Sequence, residues 1–84
     1  MIPYDFTNTS EKELLALPLE IQKRIIQKLE FFLDTPNPLT FAKRLTNVHP
    51  PSWRFAVGDY RIIFEQEAGH VLITRIGNRK EIYR

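Results

Sequence analysis

Residues 53–84 read WRFAVGDYRIIFEQEAGHVLITRIGNRKEIYR, from Trp53 to Arg84, and the fold turns on this stretch. Gly58-Asp59 divides two runs rich in β-forming residues. A Gly-X pair in that setting predicts a two-residue hairpin turn of type II′, because its first position needs a positive φ that glycine adopts freely. A two-residue turn opposes Val57 to Tyr60, Phe55 to Ile62 and Trp53 to Phe64. Partners across a ladder share a face, so these six side chains form one apolar surface that helices must cover. Arg54, Ala56, Arg61, Ile63 and Glu65 then occupy the other face. Two arginines project there from adjacent strands, and the small alanine between them leaves room for a ligand.

Downstream, Glu67-Ala68-Gly69-His70 predicts a second turn and Val71 to Ile76 a further strand. One residue more or less in that turn moves Arg75 to the opposite face, so its side stays open. Gly77-Asn78 predicts a bend before the basic tail from Arg79 to Arg84.

Upstream, Tyr4 and Phe6 alternate within Pro3 to Thr7 and predict a short opening strand. Asn8-Thr9-Ser10 predicts a turn, and Ser10 with Glu13 has the spacing of a capping box. The short helix that follows turns Leu14, Leu15 and Leu17 inward. Pro18 ends it and suits the start of a second helix. In that helix Ile21, Ile25, Ile26, Leu29, Phe32 and Leu33 fall within about 140° of a helical wheel. Phe31 lies on the polar side, free to meet a partner or to pack under the first helix. Asp34-Thr35-Pro36-Asn37-Pro38 breaks the helix. Leu39 to Asn47 suggests a helical turn leading into a basic loop, and His49-Pro50-Pro51-Ser52 is loop.

At 84 residues the chain predicts one domain over 1–84, α+β in class, with a hydrophobic fraction of 43% that suffices for one core. Cysteine is absent and the histidines are two, His49 and His70. Disulfide, thiolate-metal and cysteine-nucleophile chemistry have no material, and neither a metal nor a cofactor is expected. No run approaches the length of a membrane span, and no secretory leader pattern opens the chain, so the cytoplasm is the expected compartment. Residues 1–42 carry four Lys/Arg against six Asp/Glu, whereas residues 43–84 carry eight against four. The basic half is the hairpin half, a distribution suited to nucleic acid or to an acidic protein segment.

Arginine stays protonated and presents a planar fork of donors that fits a phosphate. Arg54, Arg61 and Arg79 are therefore candidates to clamp one phosphate, with Tyr83 to stack on a base, position a ribose 2′-OH or join a proton transfer. Cleavage of a phosphodiester by its own 2′-OH needs in-line positioning, charge neutralisation and proton transfer, with no metal. The bland alternatives are that Arg54 and Arg61 solvate an exposed sheet face and pair with Glu65, and that Tyr83 is a packing residue. Trp53 reads as core, His49 and His70 as ordinary surface histidines.

The segment 53–65 with its GDYR, followed by Arg75-Ile-Gly-Asn-Arg-Lys-Glu-Ile-Tyr83 and preceded by a helical hairpin joined at Leu17-Pro18, resembles the RelE/ParE superfamily of toxins from toxin–antitoxin modules. The resemblance covers nearly the whole chain. It implies an N-terminal strand, a helical hairpin and a curved antiparallel sheet of about four strands, with helices on one face and an active cleft on the other. It also implies a ribosome-dependent endonuclease that cuts mRNA in the A site, against ribosomal RNA, by metal-free attack of the 2′-OH. By the same resemblance Arg61 binds the scissile phosphate, Arg79 stabilises the leaving side, Tyr83 orients or deprotonates the 2′-OH, and Arg54 is the first basic residue of its strand. Lys43, Arg44 and His49 of the preceding loop, with Lys80 and Arg84 of the tail, are the expected further RNA contacts. Ala56 and Asn78 stand where many relatives carry a second basic residue and a histidine. A cognate antitoxin is the implied protein partner, expected to cover or displace the arginine face. A ParE-like inhibitor of DNA gyrase, or a non-toxic protein of the same fold, are the alternatives.

Overall fold

A computed structural model describes residues 1–83; Arg84 lies outside the described residues. Strand β1 (Tyr4–Phe6) leads into helices α1 (Asn8–Leu15) and α2 (Leu19–Leu33). A 3₁₀ turn (Pro38–Phe41) follows, then β2 (Lys43–Arg44), β3 (Trp53–Val57), β4 (Tyr60–Glu67) and β5 (His70–Asn78). The sheet is open and curved, with spatial order β1-β5-β4-β3-β2. Four neighbouring strands run antiparallel, and β1 adds to β5 in parallel, with Tyr4 beside Val71 and Phe6 beside Ile73. Among the described residues no helix is long and apolar enough to cross a membrane.

The β3–β4 register is the one the turn dictates: Val57 opposes Tyr60, Phe55 opposes Ile62 and Trp53 opposes Phe64. Gly58 has φ +58° while Asp59 does not enter the left-handed region, as a II′ turn requires. Phe55, Val57, Ile62, Phe64, Val71, Ile73 and Ile76 meet Leu14, Ile25, Leu29, Phe32 and Leu33 of the two helices in one core. Phe55 is its centre, stacked on Phe64 with ring centroids 4.4 Å apart and against Phe32 at 4.7 Å. One face of the sheet is thus closed, and the other is free to carry charge.

Several local expectations give way to tertiary contacts. Helix α1 starts earlier than a Ser10/Glu13 capping box would place it. Thr7 is the N-cap, its Oγ1 accepting the Ser10 amide. Ser10 is fully buried, and its hydroxyl donates to the Ile73 carbonyl at 2.7 Å, fastening α1 to β5. Glu13 instead accepts the Ile76 amide and binds Arg75, with Nη2 to Oε2 at 3.0 Å. Leu14 faces the core, but Leu15 points outward. Phe31 packs edge-on against Phe32 and Phe41 rather than under α1, and stays half exposed. The segment read as a basic loop contains β2, which extends the sheet beyond β3.

Strand β5 also outruns its expected end, because Gly77 and Asn78 still pair with Arg61 and Tyr60 and do not bend the chain. Ala68 and Gly69 both take positive φ, making the second hairpin turn as tight as the first. A bulge beside Ile63 skips Thr74, whose hydroxyl donates to the Ile63 carbonyl. Arg75 therefore pairs with Ile63, yet its guanidinium turns to Glu13 at the sheet's flank.

Candidate functional site

The face away from the helices carries a cleft of about 410 Å³ lined by Lys43, Arg44, Leu45, Thr46, Arg54, Arg61, Arg79 and Tyr83. Its floor follows from strand alternation. Phe55 and Val57 point into the core, so Arg54 and Ala56 point out, and Arg61 opposes Ala56. Lys43 of β2 stands directly opposite Arg54. Two cations facing each other across a ladder repel, which a sheet built for stability alone would avoid.

Arg61 is held at the turn: its Nη1 donates to the carbonyls of Gly58 at 2.9 Å and Tyr60 at 3.0 Å. A guanidinium has five N–H donors, so three remain to meet an anion. Among the described residues neither Arg54 nor Arg61 is paired with a carboxylate, and the pairing of these arginines with Glu65 does not form. Arg79 is paired with an acidic neighbour, Asp59, with Nε to Oδ1 at 3.6 Å. Arg44 sits on the rim, its guanidinium 5.9 Å from the centre of the Trp53 ring, a cation–π arrangement.

The far wall is a short segment that leaves β5. The Arg79 amide donates to the Asp59 carbonyl at 2.8 Å, and the Glu81 and Ile82 amides both donate to the Asn78 carbonyl at 2.9 Å. The Asn78 side chain accepts the Lys80 amide, so Asn78 shapes this turn rather than lining the cleft. Tyr83 emerges at the end with 53% of its surface exposed, so its phenol is available to a ligand in the cleft.

The four residues expected at the centre, Arg54, Arg61, Arg79 and Tyr83, thus share one cleft with Lys43 and Arg44. His49 and Lys80 are exposed but do not line it, and Arg84 is beyond the described residues. Leu45 and Thr46 line the cleft and were not legible in the sequence. No periodicity marks them; they are placed by the loop closure in which the Leu45 amide donates to the Ser52 carbonyl at 2.9 Å.

Two helices packed on a curved, open five-stranded sheet match the architecture of RelE-like toxin structures. Residues 4–83 match the family described as the ParE toxin of the type II toxin–antitoxin system, parDE. The chain belongs to this family of type II toxin–antitoxin toxins. No curated protein matches the sequence. Among solved structures, the RelB–RelE antitoxin–toxin complex from Methanococcus jannaschii is 31% identical, covering 93% of each chain with a TM-score of 0.72. The toxin–antitoxin complex RelBE2 from Mycobacterium tuberculosis has a TM-score of 0.81 at 24% identity, over 93% of this chain and 98% of the other. The intact RelBE complex from E. coli has a TM-score of 0.75 at 18% identity, over 93% and 96%. At those two identities the likeness concerns the fold.

Proposed function

We propose that this toxin is a metal-independent endoribonuclease that cuts mRNA on the ribosome. The observation that carries the reading is the convergence of Arg54 and Arg61, from β3 and β4, with Arg79 and Tyr83, from the segment after β5, on one cleft. Arg61 and Arg54 grip the non-bridging oxygens of the scissile phosphate, where charge grows as the 2′-OH attacks. Arg79 stabilises the leaving oxygen electrostatically, since a guanidinium gives up its proton too reluctantly to act as an acid. Tyr83 orients the 2′-OH in line with the phosphate, while the 2′-OH proton passes to solvent water and the leaving 5′-oxygen takes a proton from water. Lys43 and Arg44 hold the neighbouring phosphates of the strand.

Arg61→Ala should slow cleavage by roughly 10²–10³-fold, the usual size for a lost transition-state donor, with the fold intact. Primer extension on ribosome-bound message, wild type beside variant, is the test; equal cutting by both would defeat the assignment. The family match to ParE favours a second reading, inhibition of DNA gyrase by protein binding. Accumulation of DNA cleavage complexes on expression, with unchanged mRNA ends, would support that one. The RelBE relatives were solved as complexes with antitoxins. We propose likewise a cognate antitoxin here, with an acidic or amphipathic segment seated over the arginine cleft.

A further inference from the structure

We infer that Ile82 is the positioning residue that holds Tyr83 in the cleft, and that Gly77 is its seat. This rests on the nuclease reading of the same site. The segment 79–83 carries two of the four central side chains, yet most of its backbone hydrogen bonds are local. Lys80, Glu81 and Ile82 all donate to Asn78, within four residues, which shapes a turn without fastening its far end to the sheet. The Arg79 amide is tied to Asp59, at the near end. Arg79, Lys80, Glu81 and Tyr83 are exposed; Ile82 alone among these is buried, at 5%.

The burial has a definite place. A Cβ built on Gly77 would lie 3.6 Å from Ile82 Cβ and 3.7 Å from both Cγ1 and Cδ1, so the isoleucine lies across Gly77 with space for a methyl group between them and for no branched side chain. Gly77 does not adopt the positive φ that favours glycine, so a larger side chain there acts only by reaching into the space that Ile82 occupies. Gly77 is also the ladder partner of Arg61. The anchor of the tyrosine's neighbour therefore sits one strand away from the arginine proposed to grip the phosphate. Distance between phosphate grip and phenol is then set by packing of Ile82, in a segment that local hydrogen bonds alone would leave free to swing.

The test uses Ile82→Ala, Ile82→Val and Gly77→Val, measured for kcat and KM on ribosome-bound message and for amide hydrogen exchange at residues 81 and 82. Ile82→Ala should lower kcat by about 10–100-fold, the size of effect that misplacing a catalytic group produces, with KM changed little. Exchange at the two amides should speed up while the strands keep their protection. Ile82→Val, which keeps the branched contact, should recover most of the rate. Gly77→Val, which fills the seat with Ile82 intact, should reproduce the alanine phenotype. In a Tyr83→Phe background Ile82→Ala should cost less than about threefold more, because an anchor acting through the phenol has nothing left to position. Full additivity of the two substitutions, or unchanged exchange at residue 81 in both Ile82→Ala and Gly77→Val, would overturn the inference. A wild type that leaves mRNA uncut defeats the nuclease reading instead, and the exchange arm still decides whether Ile82 is the anchor.

Discussion

Ala56 stands directly across the ladder from Arg61, on the face that the helices leave open. With only a methyl group opposite, the guanidinium has no cross-strand neighbour to shield or neutralise it, and its remaining donors face the cleft. The small residue and the charged one are halves of one arrangement: a cation kept accessible by what is missing beside it.

Replacing that methyl with a carboxylate should therefore silence the cleft without harming the fold. Ala56→Glu pairs opposite charges across an antiparallel ladder, worth about 0.2–1 kcal/mol in favour of folding. Thermal unfolding should show stability equal to or above wild type, and primer extension should show cutting reduced by at least tenfold. Undiminished cutting by a folded variant would mean that Arg61 is not the phosphate grip.

Lys43 and Arg54 oppose each other as like charges, so function and stability should part company there. Lys43→Thr should stabilise the fold by about 0.2–1 kcal/mol, through lost repulsion and a better β-former. It should also weaken binding to a single-stranded RNA and reduce the slope of log K against log salt by about 0.7, one phosphate contact's worth. Chemical denaturation and a salt titration of binding measure the two effects separately.

Phe55 is buried between Phe32 and Phe64. Phe55→Ala should cost about 3–5 kcal/mol, the range for deleting a buried aromatic ring, and a chain of this size has little more than that to lose. Urea unfolding, followed by circular dichroism, should show a chain largely unfolded at the outset or with its midpoint sharply lowered.

The Tyr4 phenol donates to Glu30 at 2.9 Å. Burial first, and the hydrogen bond to Glu30 second, push its pKa up to about 12. In the unfolded chain a tyrosine titrates near 10. The fold thus favours the protonated phenol, and that stabilisation is complete below about pH 10 and is lost as pH rises through 12. An ultraviolet absorbance titration should resolve a tyrosine ionisation near pH 12, and Tyr4→Phe should remove that step and flatten the alkaline decline in stability. If the late step survives the substitution, the assignment to Tyr4 fails.

Much of the cleft was legible because its floor is a hairpin. A two-residue turn at Gly58-Asp59 leaves one register, and one register settles which way Arg54 and Arg61 point. The apolar arc of α2 was legible for a similar reason, since Ile25, Leu29, Phe32 and Leu33 repeat at the helical period and need no distant partner to reveal it. Arg44 and Lys43 were legible as charges but not as a strand. Two residues carry no periodicity, and only the free edge of β3 makes them β2.

What the chain determined by itself are features whose energetics lie within a few residues of one another: turn type, strand alternation, helical period, and hence an apolar face and a cationic one. The tertiary structure decided everything settled between remote segments. Thr7 is the helix cap, accepting the Ser10 amide, while Ser10 lies inside α1 and its buried hydroxyl donates to the distant Ile73 carbonyl. Arg75, whose face the local sequence left open, is bound by Glu13, sixty-two residues away in sequence. Tyr83 is brought into the cleft by a turn whose one buried side chain, Ile82, packs beside Gly77. A hydrogen bond is worth roughly 1 kcal/mol net, so one long-range contact is enough to choose between local alternatives that are nearly equal.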